Sequence, residues 1–188
     1  MQRIIRTLIM VAAAFGVFTV IDATTDIKFD RLSAMLGLDR PEVVTARERE
    51  RQLDCLALNI YREGGHEPFE GKAGIAQVTL NRVGHPEFPK DVCGVVYEKN
   101  RWSGRIVCQF SWYCDSAHRN RPIDKAAYAE SYEVAKRVLL EGFRLPSLEH
   151  ALFYHADYVN PGWPYRRVAK LGVHIFYEPI NVTKKSNA

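Results

Sequence analysis

Several devices are missing from this chain, and each absence closes a class of function. None of its four cysteines stands in a C-x-x-C pair, so neither a zinc ribbon nor a dithiol redox motif is present. The one His-Glu pair, His66-Glu67, is not followed by x-x-His, so the zincin helix is absent. No internal repeat and no low-complexity tract interrupts the 188 residues. Charge of one sign is also scarce. Lys and Arg number 26 against 22 Asp and Glu, for a net +4 that is scattered along the chain. That balance suits an anionic polymer partner but is too weak for nucleic acid. No uncharged run reaches the roughly 20 residues of a full membrane span. What remains is 47% hydrophobic and 26% charged, enough for one domain with its own core.

The N-terminal segment 1–23 reads as an export signal or signal anchor. Arg3 and Arg6 precede an uncharged run of about 15 residues, Thr7–Ile21. Ile21-Asp22-Ala23 is a poor small-x-small cleavage site, so residues 4–21 are expected to hold the body to the inner membrane. Positions 24–51 form a charged connector with one short amphipathic piece at Phe29, Leu32, Met35 and Leu36. Arg47–Arg51, alternating in sign, reads as a solvated lead-in. The folded domain is expected over 52–180, with a polar tail at 181–188.

The domain is organised around Leu53–Arg82. Leu53, Leu56, Ala57, Ile60 and Tyr61 recur at the spacing of a helix with one buried face. Glu63 closes that helix, and Gly64-Gly65 is expected to end it through left-handed backbone. Pro68 suits the start of a second helix running to about Val83, with Ala73, Ala76, Leu80 and Val83 inward beside Ile75 and Thr79. A carboxylate at the end of an apolar helix has two readings. Exposed, it is an ordinary helix-end glutamate. Half-buried against Tyr61 and Phe69, it holds its proton near neutral pH and can donate it to a leaving oxygen. The negative end of its own helix pushes the same way.

Pro86 and Pro89 mark a loop, and Val92–Tyr97 a helical turn; Lys99–Arg105 reads as polar and exposed. Cys108–Asp115, C-Q-F-S-W-Y-C-D, sets aromatic residues beside polar ones, as in a sugar-binding cleft or, for Phe110 and Trp112, a core. An even cysteine count in an exported chain favours disulfides. At least one is expected among Cys93, Cys108 and Cys114, with Cys55 either bridged or a buried thiol. Asp124–Glu141 reads as a helix capped by Asp124 and closed by Gly142, its inner stripe Tyr128, Tyr132, Ala135, Val138 and Leu139. Ala151–His155 and Val173–Tyr177 read as strands, with a turn at Asn160-Pro161-Gly162 between them. The fold class is α+β and mainly helical, with a small antiparallel β element.

The segments C-L-A-L-N-I-Y-R-E-G-G-H-E-P-F-E-G, V-T-L-N-R-V, F-P-K-D-V-C-G-V-V-Y, C-Q-F-S-W-Y-C-D, H-A-D-Y-V-N-P-G-W and V-H-I-F-Y follow one another in order. Together they resemble the cell-wall hydrolases of the spore cortex-lytic (SleB/CwlJ) type, over about Leu53–Tyr177. The resemblance implies a lysozyme-like fold related to goose-type lysozymes and lytic transglycosylases. It implies cleavage of the bond between N-acetylmuramic acid and N-acetylglucosamine in peptidoglycan, outside the cytoplasm, without cofactor or metal. Glu63 then matches the family's single catalytic glutamate, in E-G-G-H-E-P where the common form is E-A-R-G-E-P. Gln109, Phe110, Ser111, Tyr154, His155 and Trp163 are the expected substrate residues. Tyr154 and His155 are adjacent on a strand, so they face opposite sides.

A glycosidase commonly needs a second carboxyl. Glu67, Asp115 and Asp157 are the candidates, each with a structural alternative as helix cap, turn residue or surface charge. A lytic transglycosylase needs only one. A muramidase-type hydrolase or phage endolysin of the same fold is the near alternative. A zinc amidase or peptidase built from His66, Glu67, His155 and His174, or a non-catalytic wall-binding module, is the distant one.

Overall fold

The computed structural model describes residues 45–180. The segment expected to direct export, most of the connector and the polar tail lie outside the described residues. Helix α1, Ala46–Gly64, begins six residues earlier than the connector reading allowed. The cause is local. Thr45 Oγ1 accepts from Glu48 N at 3.1 Å, and Glu48 in turn takes two hydrogen bonds from Arg51. A capping threonine followed three residues on by glutamate starts a helix, and the charged lead-in becomes its solvated first turns. Downstream, Leu53, Cys55, Leu56, Ala57 and Ile60 are buried.

Glycines end α1, though not by the expected route. Gly65 has φ −56° and ψ −26°, ordinary right-handed backbone. Their value is the missing side chain. A methyl on Gly64 would meet Ile75 Cδ1, and one on Gly65 the carbonyl of Tyr61. Close approach, rather than handedness, requires glycine here.

Helix α2, Phe69–Gly84, follows the N-cap Pro68 and is the central element. Every residue from Gly71 to Thr79 is buried, so this helix has no solvent face over two turns. Helix α3, Val92–Val96, is capped by Asp91. A disulfide between Cys55 and Cys93 joins it to α1, so Cys55 is a bridged residue and not a thiol. A hairpin follows where only exposed polar chain was expected: β1, Lys99–Trp102, pairs antiparallel with β2, Arg105–Cys108. Ser103 and Gly104, at φ 48° and 78°, form the two-residue turn whose twist suits a hairpin.

Short helices α4, Ser111–Cys114, and α5, Ser116–Arg119, come next, and a second disulfide joins Cys108 to Cys114. Helix α6, Lys125–Leu139, is capped by the Asp124 carboxylate and closed by Gly142 at φ 74°. Its Ala127, Ser131, Val134, Ala135 and Val138 are buried. One core runs through α1, α2, α3 and α6.

The last third is a three-stranded antiparallel sheet, order β3-β5-β4, formed by Phe153–Ala156, Arg166–Leu171 and His174–Glu178. The middle strand in sequence, β4, was not expected. It is a bulged edge strand with charged residues at Arg166, Arg167 and Lys170, so period-2 alternation is broken between Arg167 and Ala169. Phe176 on β5 is fully buried with Val78, Leu148 and Ala151, and that cluster seats the sheet on α2. Among the described residues no helix is long and apolar enough to cross a membrane.

Candidate active site

Glu63 sits in the last turn of α1, half-buried, at a cleft of about 300 Å³ that Trp112, His118 and Arg121 also line. Strand β3 brings Tyr154 to it, and the Tyr154 hydroxyl donates to Glu63 Oε2 at 3.2 Å. Burial dominates the electrostatics and pushes the Glu63 carboxyl up to about 7. The Tyr154 hydroxyl and the nearby Arg82 charge pull it back toward the ionised form. Tyr154 itself is raised well above its ordinary value by burial and by Glu63, so it stays a donor.

Arg82 is buried on α2 beneath this pair. Its Nε donates to Leu152 O at 2.8 Å, and its guanidinium lies over the rings of Phe110, at 5.3 Å, and Phe88, at 5.6 Å. With its amide oriented to satisfy both neighbours, Gln109 donates to Glu98 Oε2 and accepts from Arg82 Nη1, each at 3.2 Å. One helical turn before Glu63, the buried Asn59 accepts from Trp112 Nε1 at 3.0 Å and donates to Thr79 Oγ1 at 3.4 Å. The Thr79 hydroxyl donates to Ile75 O. These buried polar groups satisfy one another and leave the carboxyl of Glu63 as the chemically free group.

Of the six expected substrate residues, Tyr154 alone reaches Glu63 directly. Gln109 belongs to the buried network behind it. Phe110 is 3% exposed and is a core residue under Arg82, not a sugar platform. Ser111 is exposed at the start of α4. His155 faces away from Tyr154, as strand alternation requires. Its Nε2 lies 2.9 Å from the Tyr177 hydroxyl, and its ring is 5.5 Å from Trp163. Trp163 therefore covers the outer face of the sheet with Phe153 and Tyr165, away from the Glu63 face.

The candidates for a second carboxylate are all engaged. Glu67 Oε2 accepts from Val173 N at 3.0 Å and ties the start of α2 to the β4–β5 turn. At that turn Gly172 has φ 57°, and a methyl there would collide with Glu67. Asp115 caps α5 through the amides of Ala117 and His118. Asp157 pairs with Lys170 at 2.8 Å, which holds its carboxyl below the usual range. His66, Glu67, His155 and His174 do not converge, and among the described residues no group of three or more His, Cys, Asp or Glu could hold a metal ion.

Asn59 and Arg82 escaped the sequence reading, which placed Thr79 beside the inner face of its helix without a role. A signal for Arg82 was present: it continues the Ile75, Val78, Thr79 stripe at i+7, where a charge has no solvent to face. Replacing Tyr154 by Phe removes a donor to the ionised carboxylate. The alkaline limb of activity is then expected to move to higher pH than in the wild type, measured as kcat/KM against pH. An unmoved limb would show that the hydroxyl does not tune Glu63.

The family model for Cell Wall Hydrolase matches residues 66–177, more than half of the chain. The chain belongs to the cell wall hydrolase family. Glu63 lies just ahead of the matched segment. The chain is 29% identical to the spore cortex-lytic enzyme of Bacillus subtilis strain 168 over 127 residues, which are 65% of this chain and 36% of that protein. It is 25% identical to the spore cortex-lytic enzyme of Halalkalibacterium halodurans over 144 residues, 74% of this chain and 38% of that protein. The chain thus spans under two-fifths of the length of these curated relatives. Two solved structures share the fold at TM-score 0.51. One is the catalytic domain of the Bacillus cereus SleB protein, 24% identical and covering 69% of this chain and 91% of its own length. The other is the catalytic domain of the germination-specific lytic transglycosylase SleB from Bacillus anthracis, 23% identical, with 74% and 100% covered. The α+β, mainly helical class expected from the sequence is the class found.

Proposed function

We propose that this protein cleaves the N-acetylmuramic acid–N-acetylglucosamine bond of peptidoglycan as a lytic transglycosylase, with Glu63 as its only catalytic carboxyl. The observation that carries the reading is the state of that group. It is half-buried at an open cleft, and burial pushes its pKa up to about 7, so a large share of it still carries the proton at neutral pH. Every other carboxylate considered for the reaction is committed elsewhere in the fold. Family membership and the names of the relatives point to the same substrate.

One carboxyl suffices if the substrate supplies the nucleophile. Glu63 gives its proton to the glycosidic oxygen as the C1–O bond breaks. The departing sugar leaves with a hydroxyl, and the muramic acid ring carries the cationic charge. The Glu63 carboxylate then takes the proton of that ring's own 6-hydroxyl while O6 bonds to C1. The product is a 1,6-anhydro end, and Glu63 is protonated again, so no water is consumed. A pKa near operating pH serves both halves of this cycle. Tyr154, by donating to Oε2, eases the intervening ionised state.

Arg3, Arg6 and the run Thr7–Ile21 support export to the periplasm or cell envelope, with residues 4–21 as an anchor. The disulfides Cys55–Cys93 and Cys108–Cys114 fit an oxidising compartment. Digestion of purified peptidoglycan followed by mass spectrometry tests the reaction. Transglycosylation gives anhydro ends one water lighter than the reducing ends of hydrolysis. Reducing ends alone would replace this reading with a muramidase.

A further inference from the structure

One wall of the Glu63 cleft is fixed by a single guanidinium. Arg62 donates Nη1 to the carbonyl of His118 and Nη2 to the carbonyls of Arg119 and Arg121, each at 3.0 Å. Three backbone acceptors at the end of α5 are thereby tied to the residue beside Glu63. The clamp spends the Arg62 side chain on backbone and sets His118 and Arg121 along the cleft.

The other charges around this space are accounted for. Glu63 holds its proton up to about 7. Glu67 accepts from Val173 N. Asp115 caps α5 and lies 3.6 Å from His118. Asp124 caps α6 through the amides of Ala126 and Ala127, and the Tyr61 hydroxyl accepts from its backbone N–H. His66 is exposed at the cleft and lies in the field of Asp124 and Glu130. Among the described residues no carboxylate pairs with Arg121, which is exposed on a positioned segment of the cleft. A planar guanidinium so placed is built to take a carboxylate through two parallel hydrogen bonds. In a bacterial glycan strand carboxylates occur at muramic acid and not at N-acetylglucosamine. They belong to the 3-O-lactyl group of each muramic acid or to the peptide that extends it. Neutral N-acetylglucosamine polymers have none.

We propose that Arg121 is a specificity-determining residue that pairs with a carboxylate on the lactyl side of muramic acid, so that the cleft selects anionic glycan strands over neutral N-acetylhexosamine polymers. The inference rests on the reading of the cleft as a glycan-cleaving site and names what that site selects. Its test compares native peptidoglycan with the same material after its carboxyls have been converted to amides. Wild-type enzyme is expected to show a KM about 10-fold higher on the amidated material, with kcat kept, as for loss of one charge-assisted hydrogen bond. Arg121→Gln is expected to show that higher KM on both materials, and Arg121→Lys to recover part of the loss on the native one. Added salt raises the wild-type KM on native material only. Equal KM for wild type and Arg121→Gln on native peptidoglycan overturns the role. A KM raised over the wild-type value by the same factor on native and on amidated material overturns it too, because it marks a structural defect. Wild-type enzyme that cleaves neither material sinks the reading of the whole site, whereas cleavage of both with one KM sinks the assignment of Arg121 alone.

Discussion

Glu63→Gln is expected to fold normally and to release no more than about one-thousandth of the wild-type fragments from peptidoglycan, the loss typical when a general acid is removed. Glutamine keeps the size of the side chain and can still accept from the Tyr154 hydroxyl, so the local packing has no reason to change. What it cannot do is give up and retrieve a proton. The wild-type rate should fall as pH rises through about 7, because the first step needs the protonated carboxyl. The same shift sets a stability signature of opposite benefit. The folded protein binds this proton more tightly than the unfolded chain, whose glutamate ionises near 4.5. Below 4.5 both states are protonated and nothing is lost. Between 4.5 and 7 the unfolded chain ionises first, so stability declines with rising pH, and above 7 the loss is complete. The full shift corresponds to about 3 kcal/mol, and water reaching the half-buried group reduces it to about 1–3 kcal/mol. Glu63→Gln has no such cost. Relative to wild type it should gain that amount between pH 4 and pH 8 in denaturant titrations. Retained lysis would remove Glu63 from the mechanism, and a pH-independent stability difference would remove the raised carboxyl.

The site divides into a part that sequence exposes and a part it hides. Glu63 was legible because a carboxylate ending an apolar helix before two glycines is a local anomaly. That Tyr154 and His155 face opposite sides was legible because strands alternate; which of the two meets Glu63 was not, and the structure gives that place to Tyr154. The buried partners were hidden. Asn59 and Arg82 lie about 20 residues apart in sequence, and nothing in either neighbourhood says that Trp112 and Leu152 will supply their bonds. Such matches belong to tertiary packing, not to pattern. Phe110 failed for the same reason: an aromatic beside glutamine and serine looks like a sugar platform until a buried arginine is found over its ring. The fold shows a parallel split. The four helices of the core follow from 3.6-residue periodicity and caps, yet the start of α1 was misplaced although Thr45-x-x-Glu48 announces it. Strand β4 was missed because a bulge and three basic residues erase its alternation, and the β1–β2 hairpin because Ser103-Gly104 is a weaker turn signal than Asn-Gly. The glycines after Glu63 were placed correctly and explained wrongly. Crowding by Ile75 and by the Tyr61 carbonyl excludes side chains there, which no single-sequence rule reveals.

Removal of the Cys55–Cys93 bridge, as Cys55→Ala with Cys93→Ala, should cost about 4 kcal/mol, against about 2 kcal/mol for the Cys108–Cys114 bridge. The difference follows from loop length. Cys55 and Cys93 are 38 residues apart, whereas Cys108 and Cys114 are six apart, and the longer closed loop removes more freedom from the unfolded chain. Position adds a functional consequence. The long bridge fastens α3 to the helix that carries Glu63, two turns upstream of the carboxyl. The short bridge fastens β2 to α4, which carries Trp112, the partner of Asn59. Loss of the long bridge should therefore lower the melting temperature by roughly 10–15 °C, while activity well below that temperature persists. Loss of the short one should act mainly on the cleft wall, raising KM more than it lowers the melting point. Graded reduction should show the same order by another route. Cys114 is exposed and Cys55 and Cys93 are buried, so a mild thiol should open Cys108–Cys114 first and leave the core bridge until the domain unfolds. Differential alkylation read by mass spectrometry, alongside thermal melts of the two double variants, would decide it. If Cys55 and Cys93 were labelled first, or if the two variants melted together, the long bridge would not be what holds α1 and α3 in place.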